Sequence, residues 1–254
     1  MRAGTTIRLW RLANAVSIIG VAQFVVCCWL AMAKYPGGTL REPNAEGYAF
    51  YENFLSDLGR ARAWGGEDNA ASAALFNGSV QVLAVSLVPF FLLLPLHAPD
   101  RPWMMGLAAT FGLLSLVALA GIGRTPYDEL GSDHILALFC WIGLLFAAAV
   151  LHGAALLLSR EAPSALGLVS LTLAGIVAAY LFWGLAATPF LGGATAPQSA
   201  PVKWQKSLVA ACLAWYVIFS VWMLLRVRRA GAESASTTAS LDEEARRFMK
   251  RLGA

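Results

Sequence analysis

Residues 12–33 read LANAVSIIGVAQFVVCCWLAMA and contain no charged side chain. An α-helix needs about 20 such residues to cross the hydrocarbon core of a bilayer. Basic residues precede the run, as in a secretory signal peptide, but the run continues to Ala33 without a convincing small-residue cleavage site. We therefore interpret it as a retained membrane-spanning helix.

Five further segments are also long and apolar, and the chain as a whole is rich in hydrophobic residues. Of its residues 58% are hydrophobic and 13% are charged, whereas about a quarter of the residues of a soluble domain are charged. We predict an all-α fold, a polytopic bundle with one membrane domain over residues 1–229. The predicted spans are 12–33, 71–96, 103–122, 135–158, 165–187 and 207–225.

Charge predicts how the bundle is oriented. An even number of spans places both termini on one side, and that side then holds 12 of the 19 Lys and Arg residues. The positive-inside rule therefore predicts a multi-pass protein of the plasma (inner) membrane with cytoplasmic termini. The inner links, HAPDRP at 97–102 and SREAPS at 159–164, are short, so function is expected in the longer outer loops.

The outer loop before the second span contains a two-sided segment, YENFLSDLGR at Tyr51–Arg60. At 100° per residue, its apolar and polar residues separate onto opposite faces of a helix. We predict a short surface helix whose apolar face enters the lipid or packs between transmembrane helices. The apolar residues are Tyr51, Phe54, Leu55 and Leu58, and the polar residues are Asn53, Ser56, Asp57 and Arg60.

A second polar cluster, Arg124–His134, is predicted to face this helix. Ser132 is placed to cap the fourth span and Asp133 suits its first turn, whereas Asp128 and His134 have no such explanation. His134 beside carboxylates can be a base, a metal ligand or a polar residue at a helix start. We expect Asp57 and His134 to lie on facing walls of one outer cavity.

These two clusters and their neighbours define the candidate site. Lys206, at the outer end of the last span, is a plausible counter-charge, and Asn77 in the second span either joins helices or lines a wet cavity. The candidate catalytic residues are Ser56, Asp57, Asp128 and His134. The candidate ligand-binding residues are Asn53, Asp57, Asn77, Asp128, His134 and Lys206.

The chain carries no motif for a cofactor or for known hydrolytic chemistry. Ser56-Asp57 with His134 suggests a serine hydrolase, but no G-x-S-x-G sequence is present. A zinc site made of all three histidines is rejected, because His134 and His152 lie about 27 Å apart along one helix and His97 belongs to an inner link. Outer carboxylates suit a divalent ion, but no spacing demands one. We predict no metal, no cofactor and no nucleic-acid partner.

The tail, residues 230–254, is predicted to be cytoplasmic. Its first part, AGAESASTTAS, has the composition of a flexible linker. Ser240 and Glu243 then form a capping box, which predicts a short basic amphipathic helix. Such a helix suits an anionic membrane surface or the groove of a partner protein.

Several of these residues carry a resemblance to a known family. The stretch NFLSDLG at Asn53–Gly59, Asn77, PYD at Pro126–Asp128, His134 and Lys206–Ser207 together resemble a prokaryotic six-helix membrane family of unknown function. That family is similar in layout to the DRAM and Sfk-type membrane proteins, which are linked to lipid handling. The resemblance covers about residues 10–228. It implies a six-helix bundle and a role with lipids, and it supplies no catalytic residues.

The sequence therefore supports three hypotheses of different classes. The first is an extracytoplasmic polar pocket that recognises or processes a lipid headgroup. The second is an accessory or structural subunit of a larger membrane complex, whose outer loops contact partner proteins. The third and weakest is a metal-independent membrane hydrolase or transferase.

Overall fold

Six helices of the described chain are long and apolar enough to cross a membrane, which confirms the predicted all-α polytopic bundle. The computed structural model describes the backbone of residues 3–186 and 199–251 and the side chains of residues 8–182 and 201–229. The spans run over Arg8–Lys34, Ala70–Leu96, Pro102–Ile122, Gly131–Leu158, Ser164–Phe182 and Pro201–Arg229. The protein is an integral membrane protein of the multi-pass type.

The described residues form seven α-helices, and the longest described connection between them is the segment that precedes α2. A 3₁₀ helix, Leu55–Gly59, lies in that segment. The helices are α1 (Ala3–Lys34), α2 (Ala70–Ser86), α3 (Val88–Leu92), α4 (Pro102–Ile122), α5 (Gly131–Leu158), α6 (Ser164–Ala186) and α7 (Ser199–Arg251).

The spans form a closed ring in chain order. α1 packs against α2, α2 against α4, α4 against α5, α5 against α6, α6 against α7, and α7 returns to α1. Short links produce such antiparallel neighbours. We call the end that carries residues 35–69 and 123–130 the long-loop end, and the end that carries residues 97–101 and 159–163 the short-loop end.

Small residues bring the helices close together. A Cβ atom added at Gly112 of α4 would overlap the ring of Phe91. Between α5 and α6, a Cβ atom at Gly167 would lie 2.9 Å from the carbonyl oxygen of Gly153. Both contacts therefore require glycine at the observed distance between the helices.

The second span is interrupted, although its sequence predicts one helix over 71–96. α2 ends at Ser86, α3 covers Val88–Leu92, and a 3₁₀ turn follows at Leu94–Leu96. The cause is proline, which has no N–H to donate and clashes with the preceding turn. Pro89 and Pro95 stand at the start of the two later pieces.

Two helix ends differ from the sequence interpretation. α5 begins at Gly131 after Leu130, without a side-chain cap, so Ser132 lies inside the first turn. α7 is continuous to Arg251 and therefore includes residues 230–240, which the composition predicts to be a linker. That segment lacks proline and is rich in alanine, a strong helix former. The predicted apolar face of the tail lies outside the described side chains.

Candidate functional site

The segment predicted to be a two-sided surface helix buries polar residues as well as Leu58, which is 0% exposed. Only Leu55–Gly59 is helical, and it forms a 3₁₀ turn. Asn53 and Asp57 are 0% and 5% exposed, whereas Tyr51 is 64% exposed. The predicted polar-out orientation is therefore wrong, because the polar side chains of this loop supply hydrogen bonds that its buried backbone needs.

Asn53 and Asp57 bind the loop to itself. The Asn53 side chain accepts from the Ala49 N–H at 2.9 Å and donates to the Gly38 carbonyl at 2.9 Å and to Asp57 Oδ2 at 3.2 Å. The Phe54 N–H donates to Asp57 Oδ2 at 2.8 Å. Burial raises the pKa of Asp57 above its ordinary value, although these hydrogen bonds favour the charged form.

Asn77 holds the 3₁₀ helix against α2. Its side-chain amide donates to the Gly59 carbonyl at 3.0 Å. The Asn69 amide and the Ser72 hydroxyl both donate to the Leu58 carbonyl, at 3.1 and 3.2 Å. Three side chains near the start of α2 thus satisfy the carbonyl groups at the end of the turn.

Asp128 and Lys206 connect the same loop to other spans. Asp128 accepts from the backbone N–H groups of Ala61 and Arg62, at 3.0 and 2.8 Å. The Lys206 Nζ donates to the Asn53 carbonyl at 2.7 Å and to the Phe50 carbonyl. Both charged groups therefore bind backbone, and both fasten residues 50–62 to the long-loop end of the bundle.

His134 has a different environment. It is 5% exposed, and its Nδ1 lies 2.7 Å from the Thr125 carbonyl oxygen. A carbonyl only accepts, so Nδ1 carries the proton and Nε2 of the neutral ring has a free lone pair. Asp57 makes its hydrogen bonds within its own loop, so no direct bond joins these two side chains in the described structure.

His134 and Ser56 line a cavity at the centre of the ring. The cavity measures about 60 Å³, whereas one water molecule needs at least about 10–15 Å³ of such space. All six spans and the 3₁₀ helix contribute to its wall. The lining residues are Phe24, Leu55, Ser56, Phe76, Val80, Leu83, Leu119, Ile122, His134, Leu138, Trp141, Tyr180, Gln205, Leu208, Val209, Cys212, Leu213 and Tyr216.

The cavity is polar at one end and largely apolar at the other. Ser56, His134 and Gln205 belong to the long-loop end, where their helices begin. Leu83 and Cys212 lie further along their helices, toward the middle of the membrane. Three polar side chains therefore meet at the long-loop end of a mainly apolar wall.

Two lining residues carry buried polar atoms without a partner in the described structure. These atoms are the Trp141 Nε1 and the Tyr216 hydroxyl oxygen. An unpaired buried polar group costs about 1–3 kcal/mol. Such a cost is offset when water or a bound molecule supplies a hydrogen-bond partner.

Sequence reasoning did not identify Gln205 as a site residue. Its Oε1 accepts from the Leu55 N–H at 2.8 Å, across the gap between the loop and α7. The signal in the sequence was a polar residue one position before Lys206, at the same end of the last span.

A buried histidine pair at the short-loop end was also not foreseen. His97 Nδ1 lies 2.9 Å from His152 Nε2, and His152 Nδ1 lies 3.0 Å from the Ser170 Oγ. Trp215 Nε1 donates to the same Ser170 Oγ at 2.9 Å. The two histidines therefore join the 3₁₀ turn at Leu94–Leu96 to α5, α6 and α7 through one hydrogen-bonded chain, while His134 lies at the other end of the bundle.

The fold and the cavity define a six-span, all-α integral membrane protein. Comparison with family models, with curated proteins and with solved structures finds no match. Among side chains 8–182 and 201–229, no three His, Cys, Asp or Glu residues converge as a metal site would require. The resemblance to lipid-linked membrane proteins remains a prediction.

Proposed function

We propose that the protein binds a membrane lipid, with the polar headgroup at Ser56, His134 and Gln205 and only the chain segment next to the headgroup in the central cavity of about 60 Å³. The observation that carries this proposal is the cavity itself, because all six spans converge on it and Ser56, His134 and Gln205 meet at its long-loop end. Pockets that are mainly apolar with a few convergent polar groups are the usual ligand sites of proteins.

Each polar residue has a distinct role in this proposal. His134 Nε2 accepts a hydrogen bond from a headgroup hydroxyl or ammonium, since Nδ1 is held by Thr125. Gln205 donates through its amide nitrogen, because its oxygen is used by Leu55. Ser56 both donates and accepts.

The other predicted site residues act indirectly. Asn53, Asp57, Asn77, Asp128 and Lys206 fold the loop that carries Ser56, and in this proposal they hold the cavity entrance in shape. Their substitution therefore disturbs the loop before it disturbs ligand contacts.

The proposal places the cavity entrance on the extracytoplasmic side of the plasma membrane. The support is the charge distribution, with 12 of the 19 Lys and Arg residues in segments that flank the short-loop end or belong to the termini. A lipid of the outer leaflet then reaches His134 directly.

A test compares lipids that remain bound through purification in mild detergent, measured by mass spectrometry of the extracted protein. We expect Leu83→Phe, which fills the cavity, to remove the lipid that the wild type retains. Val82→Phe is the matched control, because Val82 is 48% exposed and does not line the cavity. His134→Ala should weaken retention of the same lipid without removing the cavity.

The outcome is read together with the melting temperature of each variant. Loss of lipid with an unchanged melting temperature supports the proposal. Equal lipid content in wild type and in a folded Leu83→Phe variant contradicts it. A wild type that carries no lipid but always purifies with the same partner proteins would instead favour the accessory-subunit hypothesis.

A further inference from the structure

A second concave site lies between α1 and α7, and it belongs to the opposite end of the bundle. It is a groove of about 570 Å³. No residue of the central cavity contributes to it. The groove is lined by Arg8, Arg11, Leu12, Ala15, Val221, Leu224, Leu225 and Arg228.

The two helices contribute to the groove in the same way. On each helix the lining residues are spaced i, i+3, i+4 and i+7, from Arg8 to Ala15 and from Val221 to Arg228. That spacing selects one helix face. Seven residues correspond to about 10 Å of helix, so both walls have the same length.

Charge is confined to one end of the groove. The spans of α1 and α7 run in opposite directions, because they are the first and the last of six. Arg8 begins one span, and Arg228 lies one residue before the end of the other. The arginines of both helices therefore meet at the short-loop end. Leu12 and Val221, both exposed, extend the groove toward the membrane interior.

Among side chains 8–182 and 201–229, no carboxylate pairs with the three guanidinium groups. The ion pair found among the described side chains joins Arg101 and Asp100, and the groove lining contains no carboxylate. Arg226, two residues before Arg228, is used differently, since it donates to the carbonyl groups of Leu96 and His97. The groove arginines thus present their hydrogen-bond donors to whatever occupies the groove.

We infer that this groove binds an anionic glycerophospholipid of the leaflet at the short-loop end. The planar guanidinium group donates two parallel hydrogen bonds to a phosphate. Basic sites between membrane helices suit phospholipids with negatively charged headgroups. Leu12, Val221 and Leu225 provide the apolar surface for an acyl chain beside the arginines. The inference does not depend on the proposed function of the central cavity.

The test titrates tetraoleoyl cardiolipin into the full-length protein in detergent and measures binding by native mass spectrometry. Each arginine near a membrane surface contributes about fivefold to the binding of an anionic lipid. We therefore expect Arg228→Gln to weaken binding about fivefold and the combined Arg8→Gln, Arg11→Gln and Arg228→Gln variant to weaken it about a hundredfold. Phosphatidylcholine should bind wild type and variants equally weakly.

Arg229→Gln is the matched control, because Arg229 is exposed beside Arg228 and does not line the groove. We expect it to bind cardiolipin like the wild type. If the Arg228→Gln and Arg229→Gln variants lose the same affinity for cardiolipin, the effect comes from general surface charge and the proposed site is wrong. Inorganic phosphate that competes as well as cardiolipin would overturn the role of the acyl chain. Leu83→Phe should leave cardiolipin binding unchanged, which separates this site from the central cavity.

Discussion

Asp57 is a carboxylate in a nearly closed environment, and its hydrogen bonds explain why it is there. Its Oδ2 accepts from the Phe54 N–H and from the Asn53 amide, and both bonds stay within the loop. Burial nevertheless raises its pKa. The residue therefore serves the loop as a hydrogen-bond acceptor, and its negative charge opposes folding.

This balance predicts a pH-dependent effect of Asp57→Asn. Because the pKa of Asp57 is raised in the folded state, its contribution to the free energy of unfolding is fully present below its ordinary pKa of 3.8. That contribution is lost as the pH rises through the folded-state pKa. Wild type should thus lose stability relative to Asp57→Asn over that window. Thermal unfolding in detergent from acidic to neutral pH measures the difference.

Asp57→Ala is the comparison variant. It leaves the Phe54 N–H without an acceptor and leaves the Asn53 amide with the Gly38 carbonyl alone, which costs about 1–3 kcal/mol. We expect it to be destabilised at every pH. An Asp57→Asn variant that is as unstable as Asp57→Ala at neutral pH would show that the charge itself holds the loop.

At the scale of elements, the 3₁₀ helix depends on close contact with α2. A Cβ atom at Gly59 would collide with the Asn77 side chain and lie 2.9 Å from the ring of Phe76. The contact forms because glycine lets the two backbones approach. Asn77 can therefore reach the Gly59 carbonyl at 3.0 Å.

Gly59→Ala should destabilise the protein by about 1–3 kcal/mol, because the added methyl group overfills a packed contact. Gly78→Ala in α2 is the control, since a Cβ atom there meets nothing within 4 Å. Alanine at that helical position should be neutral or stabilise by about 0.5–1 kcal/mol. Melting temperatures in one detergent provide the comparison, and equal values for both variants would mean that the 3₁₀ helix is not held against α2.

At the scale of the whole molecule, ring closure between α1 and α7 creates both concave sites. Closure brings the last span beside the first, so Gln205 reaches Leu55 at one end and Arg228 meets Arg8 and Arg11 at the other. The bundle therefore has a largely uncharged cavity toward its long-loop end and a basic groove at its short-loop end.

The orientation of that bundle is tested with introduced thiols. Glu46 and Glu161 are exposed at the long-loop and short-loop ends. We expect an impermeant maleimide to label Glu46→Cys in intact cells and Glu161→Cys only after lysis. The wild type, whose four cysteines are free, supplies the background signal. The reverse pattern would place the central cavity on the cytoplasmic side.

The sequence by itself determined the six spans, their short links and the position of the polar loops. Each span depends on the local abundance of apolar residues, which is visible without knowledge of any partner. Ser56 and His134 were identified by the same local reasoning, because polar residues stand out at the ends of apolar runs, and both line the cavity.

Only the tertiary structure decided which way the polar residues face and what they contact. Helical periodicity placed Asn53 and Asp57 on an exposed face, yet both are buried because backbone groups of the folded loop, Gly38 and Phe54, bind their side chains. The pairing of His97 with His152 and the meeting of Arg8 with Arg228 likewise join residues far apart in the chain. Apolar character is a property of each segment, whereas a hydrogen-bond partner or a shared groove exists only after the helices have packed.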